Sequence, residues 1–356
     1  MARLSALLLS AGLSLMMSIA PARAASPADR QALSIDAATP YTMAVYANAD
    51  LGRLPSHVQR ALIIVHGVQR NAVDYFAIGQ HLLDMAQLSP ANTLLLAPNF
   101  MAHKDQGLSP DMPIWGSDAW MQGEASIHGV TGITSFQALD DLLRWLADPA
   151  RFPDLHEIVL IGHSAGAQLM QRYALLNGLT EGLQRAGIHL RYVISSPSSY
   201  LYLSPERPQG EDFAPPTGQA CPRYDDYRYG LGQPPAYLAQ QHLDGRQLFA
   251  RYAARDVRYL VGQRDVDPQH RFLDRSCGAA LQGATRMARQ LAYLGYERFL
   301  ARRWQIPASH TQQVIPDAAH GAARLYRSPL ALGQVFPWLD APAPAAVAVA
   351  AAAGQR

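Results

Sequence analysis

The pentapeptide Gly162-His163-Ser164-Ala165-Gly166 places one hydroxyl between two glycines. It follows the apolar run 158–161 and opens the helix-like stretch 165–176. A tight strand–turn–helix at this point would hold the Ser164 hydroxyl above the strand end, beside the positive start of a helix. A serine hydroxyl is a weak nucleophile and needs a base. His320 fits that role, because it follows the last predicted strand and small residues surround it in Val314-Ile315-Pro316-Asp317-Ala318-Ala319-His320-Gly321. The rival His310 precedes that strand. An acid must then orient the imidazole and steady its charged form. Val261-Gly262-Gln263-Arg264-Asp265 ends a strand on Asp265, which is preferred to Asp267; the other acid reads as a turn or cap residue. Asp317 stands too close in sequence to His320. An anionic intermediate needs backbone donors. Ala165, just after the serine, offers one N–H, and Val68 in His66-Gly67-Val68 offers the second. His66 and His163 read as structural neighbours.

Such a cluster needs strands that end together. After a loosely ordered lead-in at 25–40, residues 41–47 alternate as a first strand. Residues 61–65 form a continuous apolar run, the pattern of a strand buried on both faces. A helix over 71–86 and a strand over 93–97 follow, and then a Gly- and Pro-punctuated loop at 100–134. Thr134 and Gln137 have capping-box spacing ahead of a helix that ends near Asp148-Pro149. Further strands are predicted at 158–161, 192–195, 257–261 and 313–315. Helices are predicted at 165–176 and 278–300, with a last helix or turn at 321–332. This alternation predicts an α/β fold with a mostly parallel central sheet and helices on both faces. Residues 200–252 break the rhythm with seven of the sixteen tyrosines and seven prolines, and read as an insertion in one catalytic domain spanning 25–340.

The elbow, with the triad order Ser164, Asp265, His320, resembles the α/β-hydrolase superfamily over about residues 41–338. Within it the chain is similar to an exported, esterase-like group in five stretches. These are His66-Gly67-Val68-Gln69-Arg70-Asn71, Trp115-Gly116, Gln171-Arg172-Tyr173-Ala174, Tyr224-Asp225-Asp226-Tyr227, and Val261-Gly262-Gln263-Arg264-Asp265-Val266-Asp267-Pro268. A more distant likeness is to polyhydroxyalkanoate depolymerases. The resemblance implies hydrolase activity and names no substrate; the reading adopted is a serine hydrolase cleaving carboxylic esters through an acyl-enzyme. An amidase or peptidase of the same fold, or a non-catalytic binding protein, are the alternatives. It also implies that 200–252 is a lid over the acyl pocket, the alternative being a surface flap. Trp115, Trp120 and Tyr200 are further candidates for the pocket wall, and Arg70 and Asn71 are candidates to bind a substrate carboxylate.

Composition narrows the partners. The chain has 356 residues, 49% hydrophobic and 16% charged, which suits a large buried core. Net charge is +2, and both excess positives, Arg3 and Arg23, lie in the first 24 residues. The balanced remainder lacks the cationic drive for nucleic acid. Residues 1–24 have the form of a signal peptide cut after Ala22-Arg23-Ala24, the alternative being an uncleaved anchor. No stable membrane insertion is expected after cleavage, and the exported chain is expected in the periplasm or outside the cell. In that oxidising setting Cys221 and Cys277, the only cysteines, read as one disulfide, with two unpaired thiols as the alternative. The tail from 341 is Pro/Ala low complexity. Metal-ligand spacing is missing, including at His103 and His128, and so are nucleotide glycine motifs; no cofactor is expected. The expected partner is a small-molecule or polymeric ester.

Overall fold

Eight strands form one sheet. A computed structural model describes residues 29–217 and 221–339; the predicted leader and tail lie outside the described residues. In chain order the strands are β1 (Arg30–Ile35), β2 (Tyr41–Ala47), β3 (Arg60–Val65), β4 (Thr93–Pro98), β5 (Glu157–His163), β6 (His189–Ser195), β7 (Asp256–Gly262) and β8 (Thr311–Ile315). Their spatial order is β1-β2-β4-β3-β5-β6-β7-β8. The six strands from β4 to β8 pair in parallel, and β2 joins them antiparallel.

Continuous apolar runs arise because both faces are covered. In β3, Ile63 and Val65 enter one core while Leu62 and Ile64 enter the other. The first core is closed by α2 (Ser135–Leu146), α3 (Ala165–Leu176), α4 (Gly245–Ala253) and α5 (Arg286–Trp304). The second is closed by α1 (Ala72–Met85), α6 (Ala322–Tyr326) and α7 (Pro329–Val335). Thr134 accepts the Gln137 N–H and caps α2 as its sequence spacing predicts.

The structure corrects three element readings. The lead-in contains β1, which pairs along its whole length with β2 and buries Leu33 and Ile35. Its weak alternation, Ala-Leu-Ser-Ile among polar neighbours, hid an edge strand. The helix predicted over 278–300 is a short turn at Cys277–Ala280 followed by α5, which starts at the Thr285 cap. The last helix is two, because Pro329 begins α7 behind the Ser328 cap.

Candidate active site

β5 runs between β3 and β6 and ends at His163; Ser164 follows it as the cap of α3, which starts at the next residue. Ser164 has φ 57° and ψ −115°, a conformation that costs about 1–3 kcal/mol for a residue with a side chain. Its surroundings impose it. The Ser164 N–H donates to the Ser195 carbonyl of β6 at 2.9 Å. One residue into α3, a Cβ on Gly166 would stand 2.5 Å from the Val65 carbonyl oxygen and 2.6 Å from that of His66. Only glycine lets the helix start press this closely on the end of β3.

His320 and Asp265 come from the adjacent parallel strands β8 and β7, so both loops emerge at the same sheet edge as Ser164. The loops are locked together. The Arg264 N–H donates to the Ala318 carbonyl at 2.8 Å, and a Cβ on Gly262 would lie 2.3 Å from that same oxygen. His320 Nδ1 is 2.9 Å from Asp265 Oδ2, and its Nε2 is 3.0 Å from Ser164 Oγ. A carboxylate can only accept, so Nδ1 carries the proton and Nε2 is free to accept from the serine hydroxyl. Asp265 is 3% exposed and His320 15%. Burial pushes the Asp265 carboxyl up, but the His320 hydrogen bond and the charges of His320 and Arg286 outweigh it and hold the acid below the usual carboxylate range. The Met287 N–H of α5 also donates to the Asp265 carbonyl at 3.2 Å, seating the acid at a helix start.

The remaining candidates separate cleanly. Asp267 is exposed and accepts the Gln269 N–H, a turn role. Asp317 is exposed and pairs with Arg264. His310 is elsewhere, paired with Glu297. His66 donates from Nδ1 to the Gly67 carbonyl and accepts the Phe100 N–H at Nε2; burial pushes it down to about 4. His163 is buried with Nδ1 3.0 Å from Tyr75 Oη, and burial and then His320 hold it well below the usual imidazole range. The Ala165 N–H is the first of α3 and has no acceptor within the helix. Val68 lines the cavity over Ser164, and the neighbouring Gly67 brings main chain close: a Cβ there would be 3.8 Å from Ser164 Cβ. Cys221 and Cys277 form a disulfide.

No family model matches the chain, and no curated protein sequence matches it. Solved structures do. The poly(3-hydroxybutyrate) depolymerase LpqC from Bordetella parapertussis superposes with a TM-score of 0.59 at 21% identity, over 89% of this chain and 92% of that one. Poly(aspartic acid) hydrolase-1 from Sphingomonas sp. KT-1 gives 0.59 at 19% identity, over 87% and 98%. The chain has the α/β-hydrolase fold. Within an α/β-hydrolase fold, Ser164 stands at the turn between a central strand and its helix, and Asp265 and His320 follow two later strands.

A cavity of about 380 Å³ opens over Ser164. Val68, Asn71 and Tyr75 form one wall, His270 and Phe272 a second, and Ala322 and Ala323 a third. Among the described residues none of its lining comes from 200–252. That segment packs on α5: Tyr200 stacks on Tyr293 and Tyr202 lies tilted against Tyr296, each with ring centroids 4.4 Å apart. Tyr200, Tyr202 and Tyr252 are buried apolar bodies that fill a core, the commoner use of such side chains. Trp115 and Trp120 are likewise core residues around Phe100, and Arg70 is held bidentately by Asp105. Asn71 does reach the cavity.

Two contributors escaped the sequence reading. Arg286, at the first turn of α5, lies buried with Nη1 3.5 Å from Asp265 Oδ1. His270 faces the His320 ring edge-on at 4.9 Å between centroids, opposite His163 at 4.9 Å. Neither belongs to a local motif; only the helix cap at Thr285 could have marked the neighbourhood of Arg286.

Proposed function

We propose that this protein is an exported serine hydrolase that cleaves carboxylic esters. The observation that carries the reading is the unbroken chain from Ser164 Oγ to His320 Nε2 at 3.0 Å and from His320 Nδ1 to Asp265 at 2.9 Å, opening on a cavity. His320 takes the proton as Ser164 Oγ attacks the acyl carbon. Asp265, ionised by its surroundings, keeps Nδ1–H in place and steadies the imidazolium. The Val68 and Ala165 N–H groups hold the developing oxyanion. His320 then gives its proton to the departing alcohol oxygen, leaving an acyl-Ser164 ester. Water, deprotonated by the same imidazole, releases the acid and restores the serine. His320 must be neutral to start, so kcat/KM rises from acid toward neutral pH.

The first similar structure carries the name of a polyester depolymerase, which supports an ester linkage as the target; the second is named for poly(aspartic acid), a polyamide, which supports the amide alternative. The disulfide supports passage through an oxidising compartment. A fluorophosphonate probe is the direct test. It should attach to Ser164 in the wild type and not to Ser164→Ala, and that variant should lose roughly 10⁴-fold or more in ester turnover. Unlabelled wild-type protein, or near-normal hydrolysis by the variant, would remove Ser164 from the mechanism. Matched ester and amide substrates then rank the two linkages.

A further inference from the structure

The cavity over Ser164 does not end at its own walls. A second hollow of about 380 Å³ adjoins it, and Asp74, Ile78 and Ala323 line both. Beyond these three the second hollow is bounded by Ala77 and His81 of α1 and by Tyr326 and Arg327 at the end of α6. The two helices are in direct contact, so the hollow lies over their seam. From Asp74 to His81 it follows roughly 10 Å of helix axis, at 1.5 Å per residue. Its middle is apolar. Ala77, Ile78 and Ala323 are hydrocarbon, and Tyr326 is buried with its hydroxyl spent on Ser195 Oγ at 2.6 Å. Charged or polar groups stand only at the ends, Asp74 near the reaction cavity and His81 with Arg327 far from it.

We propose that this seam is a subsite for an unbranched, largely apolar chain of the substrate, running from the scissile ester between α1 and α6. The substrate class is therefore a linear ester whose chain extends well past the reacting carbonyl, not a compact short-chain ester. The proposal rests on Ser164 being the nucleophile. Its geometry leaves one shared chemistry with two sources: the chain belongs to the acyl part or to the alcohol part. The seam adjoins the Ala322–Ala323 wall just beyond His320, which protonates the alcohol oxygen, and also α1 just beyond the Val68 donor. Separate substrate series resolve the two.

Ala77 is exposed on α1 and lines the second hollow but not the first, so Ala77→Trp fills the seam without entering either core. His81→Trp, also on an exposed position, narrows only the far end. One series is nitrophenyl esters from acetate to decanoate; the other is acetates of short and long linear alcohols, all kept below micelle formation. In the wild type kcat/KM should climb with length in one series. Ala77→Trp should lower kcat/KM for the longest member of that series by about tenfold or more while the shortest stays within about twofold, the scale on which apolar pockets discriminate by methylene groups. His81→Trp should penalise only the longest chain. Equal effects of Ala77→Trp on short and long members, or none in both series, would overturn the subsite while leaving the serine hydrolase intact. A wild type that hydrolyses no member and takes no fluorophosphonate would overturn the hydrolase reading and the subsite together.

Discussion

Two histidine–carboxylate pairs in this molecule have nearly the same geometry and opposite surroundings. His320 Nδ1 meets Asp265 at 2.9 Å, and His310 Nδ1 meets Glu297 at 2.8 Å. The second ring nitrogen makes the difference. In His320 it faces a hydroxyl, which can give up a proton; in His310 it faces the Tyr252 carbonyl at 3.0 Å, which can only accept. His310 is thus arranged to donate from both nitrogens as an imidazolium. Burial pushes it down, but the Glu297 charge and hydrogen bond and the Tyr252 carbonyl outweigh that and raise it above the usual imidazole range. Glu297 also accepts from Tyr259 Oη at 2.8 Å, which completes a closed ion pair between α5 and the sheet. A carboxylate beside an imidazole therefore says little about catalysis until the far nitrogen is known.

The largest effects should split the pairs by what they damage. His320→Gln should lower ester turnover by roughly 10⁴-fold while leaving the unfolding midpoint close to that of the wild type. His310→Gln should do the reverse, keeping turnover but costing about 3–5 kcal/mol of stability in urea titration, because Glu297 stays buried without its cation. Equal loss of activity in both variants would erase the distinction.

A smaller effect is a pH slope. Because the folded His310 titrates above its unfolded value of 6.5, its contribution is complete below that value and fades as pH rises through the folded titration. The double variant His310→Gln, Glu297→Gln removes both charges. The stability gap between wild type and double variant should therefore be widest in acid and narrow toward alkaline pH, as followed by urea midpoints across the range. A gap that widens with pH would contradict the imidazolium assignment.

The same contrast shows what the sequence could and could not disclose. His320 was legible because it follows a strand and sits among small residues, and His310 was set aside because it precedes one. Those are statements about topology, and parallel strands deliver loops to one edge whatever the side chains do. Ser164 and Asp265 were legible for the same reason. The buried runs of β3, β4 and β5 were visible because two covered faces leave no polar alternation. The strand β1 and the fate of 200–252 were not visible. An edge strand needs only a half-apolar pattern, and a Tyr/Pro-rich segment has the same composition over a pocket or against a helix. Whether Tyr200 meets substrate or Tyr293 depends on a contact 93 residues away in sequence, which no local pattern encodes.

Arg286 sharpens the comparison further, since among the described residues no guanidinium pairs with His310 or Glu297 while Asp265 has one at 3.5 Å on its second oxygen. That cation helps keep Asp265 ionised and disfavours a second positive charge on the neighbouring imidazoles; the lowering of His163 and His270 includes it, after burial. The groups around His320 are then Asp265, Arg286, His163, His270 and, farther out, Asp267. Arg286→Met should shift the acid limb of the kcat/KM profile to higher pH, because it removes a positive charge one carboxylate away from the imidazole that must be neutral. Arg286→Lys keeps the charge and should keep the limb near its wild-type position even if kcat falls. Burial makes both variants less stable, so profiles are compared on folded protein checked by circular dichroism. A limb that stays put in Arg286→Met, or moves equally in both variants, would show that the guanidinium serves only as packing at the start of α5.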